Sequence, residues 1–279
     1  MTLLTWILHT ADAAELKAER IVTLGSCVTE MMFALGEGEQ VTAVDSSSTW
    51  PQRVRGLPQV GYHRQLSAEG ILALQPTLVL GTTQAGPPET LQKLRAVGVN
   101  VQLFDAPHSL DGALGLLQAV ADERGKRAQG GQIVAGIRAQ LAAVRARSTA
   151  SQAPRVLALM AAGGSLMVAG RDTAADLMIG LAGGINVATQ ISGYKPYSTE
   201  AVLGLAPDVI LLPDHVLPQL GGREAVLKLP GLAQTPAMRN QALLVMDSAK
   251  LLGLGPRLGE AVQEMAARLQ SLSPLAVNP

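Results

Sequence analysis

A phenol, an imidazole and a guanidinium stand side by side at Tyr62-His63-Arg64 of this 279-residue chain. A phenolate is a hard anionic oxygen donor of the kind that suits ferric iron. Free tyrosine ionises only near pH ~10, so at neutral pH a bound metal or a nearby cation must favour the anion. Arg64 is the cation within reach. If the segment is extended, the period-two alternation of a strand puts Tyr62 and Arg64 on one side and His63 on the other. The same residues also fit a rim tyrosine beside a solvated arginine, and spacing alone leaves the two balanced.

Other chemistry is sparser. His9, His63, His108 and His215 are scattered, without the spacing of a zinc or manganese cluster. No Gly-x-Ser-x-Gly elbow or phosphate-cradling glycine loop occurs, and Gly163-Gly164 lacks the spacing of a dinucleotide fingerprint, so an enzyme is not expected. Cys27 is the only cysteine, which rules out an intramolecular disulfide. Leu24-Gly25-Ser26-Cys27 resembles a lipoprotein cleavage box, but Glu15, Lys17, Glu19 and Arg20 interrupt the apolar core such a signal needs, so Cys27 is expected to be a small buried side chain. A formal net charge of zero argues against a nucleic-acid binder, which needs a basic surplus. No run approaches the ~20 apolar residues that span a bilayer.

The elements that must position these side chains are written twice. Leu66-Ser67-Ala68-Glu69-Gly70-Ile71-Leu72-Ala73-Leu74-Gln75-Pro76-Thr77-Leu78-Val79-Leu80 returns as Tyr197-Ser198-Thr199-Glu200-Ala201-Val202-Leu203-Gly204-Leu205-Ala206-Pro207-Asp208-Val209-Ile210-Leu211. Each copy reads as a serine-capped helix, a proline turn and a buried strand. Further echoes pair Glu30–Gly36 with Asp176–Gly183, and Leu103-Phe104-Asp105 with Val245-Met246-Asp247, in the same order. Strands and helices alternate throughout, so the fold class is α/β: two Rossmann-like lobes with parallel sheets. Between them Leu110 to Arg147 is helix-forming and free of proline; if Asp122–Arg147 is one helix it runs ~39 Å at 1.5 Å per residue. The expected division is a first lobe over 20–121, a linking backbone helix with its end over 122–153, and a second lobe over 154–279. Residues 1–19 read as an export-signal remnant or a disordered tail, because Leu3–Leu8 and Ala11–Ala14 resemble the end of a signal whose basic start is missing.

With Val60-Gly61-Tyr62-His63-Arg64-Gln65-Leu66-Ser67-Ala68-Glu69-Gly70 on view, the chain resembles the helical-backbone (class III) periplasmic binding proteins that feed bacterial ABC importers, and within them the haem-binding branch. Ala169-Gly170-Arg171-Asp172-Thr173-Ala174-Ala175-Asp176, Gly193-Tyr194-Lys195-Pro196, Leu229-Pro230-Gly231 and Thr235-Pro236-Ala237 carry the same resemblance, which spans Arg20 to Leu272. It implies a periplasmic protein that carries ferric haem b in the cleft between lobes, with Tyr62 as axial iron ligand. It also implies docking on a permease dimer through Glu69 and Glu200, and haem arriving indirectly from an outer-membrane receptor. The bland account of those two glutamates is complementarity to helix N-termini. Some members of the branch use a second, histidine ligand near the first strand of the other lobe. Here Leu159-Met160-Ala161-Ala162-Gly163-Gly164 has none, so five-coordinate iron, or a weak sixth partner such as water, is expected, with Met160 left to core packing. Aromatics are 3% of residues, so the haem walls must be mostly aliphatic or methionine, with Tyr194 the aromatic candidate facing Tyr62. Lys195, Arg171, Arg223 and Arg239 are candidates for propionate partners or solvated surface charges, and the sequence does not choose among them. The same scaffold with cobalamin or a ferric siderophore is the alternative, and a helix pinning both lobes implies little closure on binding.

Overall fold

The computed structural model describes residues 19–147, 153–162, 164–202 and 204–272. The export-signal segment and the Ser148–Gln152 stretch of the linker lie outside the described residues.

The first lobe runs β1 (Ile21–Leu24), α1 (Ser26–Ala34), β2 (Val41–Val44), α2 (Ala68–Leu72), β3 (Leu78–Thr82), α3 (Pro88–Ala96), β4 (Asn100–Phe104) and α4 (Leu110–Glu123). Its strands form a parallel sheet in the order β2-β1-β3-β4. β1 and β3 are buried throughout, as expected of apolar runs covered on both faces. After the long helix α5 (Arg127–Arg147) come β5 (Arg155–Ala162), β6 (Ser165–Ala169), α6 (Ala174–Leu181), β7 (Ile185–Asn186), β8 (Tyr194–Pro196), α7 (Thr199–Val202) and β9 (Val209–Pro213). The chain ends with α8 (Val216–Gln219), α9 (Arg223–Leu227), α10 (Pro236–Arg239), β10 (Leu243–Met246), α11 (Ser248–Leu252) and α12 (Leu258–Leu272). This second sheet has the order β10-β9-β5-β6-β8, with β7 also on β5; β5, β7, β9 and β10 are parallel, while β6 and β8 add antiparallel strands.

The sequence repeat is a structural repeat down to its turns. β3 and β9 each lie beside the first strand of their lobe. The residue before each repeat proline, Gln75 at φ 48° and Ala206 at φ 40°, is left-handed without being glycine. Arg20 donates from Nε to the Gln75 carbonyl and from Nη2 to that of Leu74, at 3.2 and 2.8 Å. Arg155 does the same to Ala206 and Leu205, at 3.3 and 2.8 Å. A strained turn costs of order 1–3 kcal/mol and persists only where its surroundings enforce it; here the same arginine clamp sits at both copies.

The link is shorter than the Asp122–Arg147 span expected from composition. α4 stops at Glu123, Gly125 turns the chain at φ 67°, and α5 begins at Arg127. At 21 residues it measures about 31 Å. Its glycine pair is a contact rather than a break: a Cβ on Gly130 would stand 2.4 Å from Ala121 Cβ, so the residue must be glycine for α5 to lie on α4. On its other side α5 meets α12, where a Cβ on Gly259 would collide with Gln140. One hydrophobic cluster runs continuously through Met31, Leu117, Ile137, Met178, Val262 and Met265, joining α1, α4, α5, α6 and α12. The lobes therefore share a core behind the cleft instead of hanging on a free hinge.

Candidate functional site: a cleft between the lobes

The parallel strands of both sheets end toward a cavity of about 950 Å³ lined from both lobes. That is the upper end of the ~300–1,000 Å³ typical of small-molecule sites. Strand ends are where such folds bind ligands, because the loops that follow are free to carry chemistry.

Tyr62, His63 and Arg64 all line the cavity. They are not extended: Gln65 N–H donates to the Tyr62 carbonyl at 2.8 Å, closing a turn. Alternation is thus the wrong reason for separating His63 from Tyr62. The imidazole is turned aside by Asp45, whose Oδ2 lies 2.9 Å from His63 Nδ1. Asp45 is fully buried and its two oxygens accept from Gly25 N–H, Ser48 Oγ, Ser47 N–H and Ser47 Oγ as well. Burial alone would raise this carboxyl, yet His63, Ser47, Ser48 and the Gly25 amide together hold it below the usual carboxylate range. The Tyr62 ring packs on His63 with centroids 4.5 Å apart at 58°. Tyr62 stays 42% exposed, and its hydroxyl makes no hydrogen bond among the described residues. A phenol oxygen held by its ring and free at its tip is what an external electrophile requires.

Arg64 Nη2 donates to Gln84 Oε1 at 2.8 Å, which fixes the guanidinium in the cleft. Its charge is felt across the gap at Tyr194. Burial raises the Tyr194 phenol above its ordinary range, while a Thr173 hydrogen bond and Arg64 partly offset the rise. Tyr194 lines the cavity from the second lobe, so the two aromatic candidates do face one space. Met160, Ala161 and Met167 supply apolar wall.

The other cations go elsewhere. Lys195 follows Tyr194 on β8, so strand alternation sends it to the opposite face, and it does not line the cavity. Arg171 also stays outside, on the isolated bridge to Ser192 beyond β6. Arg223 donates to the Gln241 and Leu243 carbonyls, and Arg239 to that of Gln234, both closing local structure. Arg55, which the sequence did not single out, does line the cavity, beside the Thr49 carbonyl that it donates to. His108 and His215 were missed as well: far apart in sequence, both reach the cleft because they follow β4 and β9. Counting loops after parallel strands, rather than looking for spacing, would have found them.

Glu69 and Glu200 are exposed in the first turns of α2 and α7. Glu69 accepts from Ser67 Oγ at 3.0 Å, and its carboxyl is held low by the local backbone amide, Ser67 and Lys93. Neither glutamate lines the cavity.

Behind the cavity the lobes are clamped. Arg257 donates from Nε and Nη2 to the two oxygens of buried Glu30, at 2.9 and 2.5 Å, and lies 4.8 Å over the Trp50 ring. Gly255 packs on Cys27 and Glu30, where a Cβ would make ordinary contact at 3.4 Å with each. Cys27 is buried and also lines the cavity; desolvation pushes its thiol up to about 12, which disfavours the reactive thiolate.

Residues 21–249 match the model of the periplasmic binding protein family. The chain belongs to that family. It is similar to the periplasmic heme-binding protein RhuT from Roseiflexus sp. RS-1 in apo form: 44% identity, 91% of this chain and 99% of that one covered, TM-score 0.87. A periplasmic heme binding protein from Pseudomonas aeruginosa matches at 37% identity over 92% and 93% of the two chains, with TM-score 0.80. Among curated sequences, the vitamin B12-binding protein of Vibrio parahaemolyticus is 25% identical over 91% of this chain and 90% of its own. The family and these neighbours are solute-binding proteins, not enzymes, and they place this chain with class III proteins that serve ABC permeases. A periplasmic location follows from membership; among the described residues no helix is long and apolar enough to cross a membrane.

Proposed function

We propose that this protein carries ferric haem through the periplasm to an inner-membrane ABC importer. The observation that supports it most is Tyr62: an exposed phenol, braced by His63 and beside Arg64, in a two-lobed cleft whose structural neighbours are named haem-binding proteins. Tyr62 is the axial ligand of the ferric iron, and Arg64 favours its anion and one propionate. Arg55 is the second cation at the cleft, ahead of Lys195 and Arg171. The methionine and aliphatic wall receives the porphyrin face, with Tyr194 opposite. The lobes over 20–121 and 154–279 are the two jaws, linked through 122–153. Glu69 and Glu200 dock one on each half of the permease dimer, and an outer-membrane receptor system supplies the haem. Haem b is the natural form, since with Cys27 buried the described residues offer no exposed thiol for covalent attachment.

Titrating purified protein with haemin tests this: a saturating Soret band is expected, and Tyr62→Phe should shift it and remove the phenolate-to-iron charge-transfer band. An unshifted spectrum in the variant removes Tyr62 as ligand. The B12-binding relatives favour one second reading, cobalamin in the same cleft. Tight binding of cyanocobalamin without a haemin Soret band would establish it in place of haem.

A further inference from the structure

The two walls of the cleft carry opposite charge. From the first lobe the cavity is lined by Arg55 and Arg64 and by no carboxylate; from the second it is lined by Asp172, Asp214 and Asp247 and by no lysine or arginine. Asp247 is partly offset, because its Oδ1 lies 3.7 Å from Arg257 while capping α11 through the Lys250 amide. Asp172 and Asp214 are exposed and form no ion pair among the described residues. Asp172 Oδ2 accepts from Ser192 Oγ at 3.2 Å. Asp214 Oδ1 accepts from the His215 and Ser248 amides at 2.8 and 3.1 Å, and from the Ser248 hydroxyl. These neutral donors hold both carboxylates in place without cancelling their charge.

Among the described residues no group of three or more His, Cys, Asp or Glu side chains is arranged to hold a metal ion, so the second-lobe acids act as a field and not as a cation site. A cleft with low-dielectric walls focuses such a field, and like charges brought together there reject a ligand as effectively as good contacts select one. We propose that Asp172 and Asp214 are specificity-determining residues: they keep the second-lobe wall negative, so the cleft admits a metalloporphyrin whose carboxylates are gathered on one edge and rejects one that carries them on every side. This rests on the haem reading above. Haem has both propionates on one edge and can turn them to Arg55 and Arg64. A porphyrin with a propionate on each pyrrole must set at least one of them against the second wall, whichever way it enters.

The test compares haemin with ferric coproporphyrin I, which has four propionates spread round the ring, by Soret titration of the full chain at low salt. Wild type should bind haemin the more tightly, and Asp172→Asn with Asp214→Asn should lower that preference about 10-fold, the effect of two like charges ~12 Å apart at an effective dielectric of ~20. Shape should be unchanged. All three donors to Asp214 use one oxygen, which asparagine keeps, and Asp172 sits at φ 65°, where asparagine is also at home. Any steric penalty of the larger porphyrin is therefore common to wild type and variant and drops out of the ratio. Asp172→Asn alone, whose printed partner is a single serine hydroxyl, should lower the preference about 3-fold and serves if the double variant does not fold. Molar salt, which shortens the screening length to ~3 Å, should bring the wild-type ratio toward that of the variant. Equal affinity of wild type for the two porphyrins, or a ratio unchanged by the substitutions, overturns the proposal and leaves haem binding intact. Absence of a haemin Soret band in wild type overturns the haem reading, and this inference with it.

Discussion

Replacing Asp45 by asparagine tests how the Tyr62 turn is held. Oδ1 accepts from Gly25 N–H at 2.9 Å and Ser48 Oγ at 2.7 Å; Oδ2 accepts from Ser47 N–H at 3.1 Å, Ser47 Oγ at 2.6 Å and His63 Nδ1 at 2.9 Å. An asparagine keeps one acceptor and turns the other into an NH₂ group, which meets donors whichever way it flips. The serine hydroxyls can rotate to accept from it, but the Gly25 amide, or the Ser47 amide and His63, are left without a partner. At ~1–3 kcal/mol for each buried group left unsatisfied, Asp45→Asn should cost about 2–4 kcal/mol. For a chain of this size that lowers Tm by about 4–16 °C. Calorimetry at neutral pH measures it, and a Tm within about 2 °C of wild type refutes the reasoning. The pH dependence has a definite sign: Asp45 is held below its unfolded range, so its contribution is complete above the ordinary carboxylate pKa and is lost as pH falls through the lower folded value. Wild type and Asp45→Asn should therefore converge in acid. Because His63 braces the Tyr62 ring, the variant should also release haem faster than wild type at neutral pH.

Glu30→Gln leaves Arg257 without its buried carboxylate partner and should destabilise by about 3–5 kcal/mol, whereas Glu30→Met with Arg257→Met should recover most of the loss; a urea-melt double-mutant cycle showing additive effects would refute the clamp. Glu69→Ala and Glu200→Ala should leave haemin titrations unchanged and abolish uptake by the reconstituted importer, since both carboxylates are exposed and neither lines the cavity; unimpaired uptake by the double variant removes them as docking residues.

What could be read from the sequence is set by the range of the interactions that fix each feature. The repeat Leu66–Leu80 and Tyr197–Leu211 exposed the two-lobe fold because helix caps, proline turns and buried strands are local and leave a pattern. Tyr62, Arg64 and Tyr194, singled out in stretches that carry the family resemblance, do line the cavity. The helix boundary at Arg127 was not, since Gly125 and Gly130-Gly131 look alike as letters. The first turns the chain, while Gly130 admits Ala121 across a helix contact that only the tertiary fold creates. Lys195 was misplaced for the opposite reason: proximity to Tyr194 in sequence is distance in space on a strand.

The second-lobe chemistry was hidden because nothing local marks it. Asp214, His215 and Ser248 are brought together only by the parallel pairing of β9 with β10, Met246 lying opposite Pro213 in register. In the first lobe Asp45, Ser47 and His63 meet because Gln59 bridges to Val44 beside β2. Each lobe thus places one histidine on a carboxylate and a serine at the end of a strand, but to different ends. In the first, Asp45 takes the imidazole itself, so His63 becomes the brace for a tyrosine; in the second, Ser248 stands between the Asp214 carboxylate and the His215 ring. The two lobes thus carry similar frames, and each ties its histidine into the cavity wall in its own way.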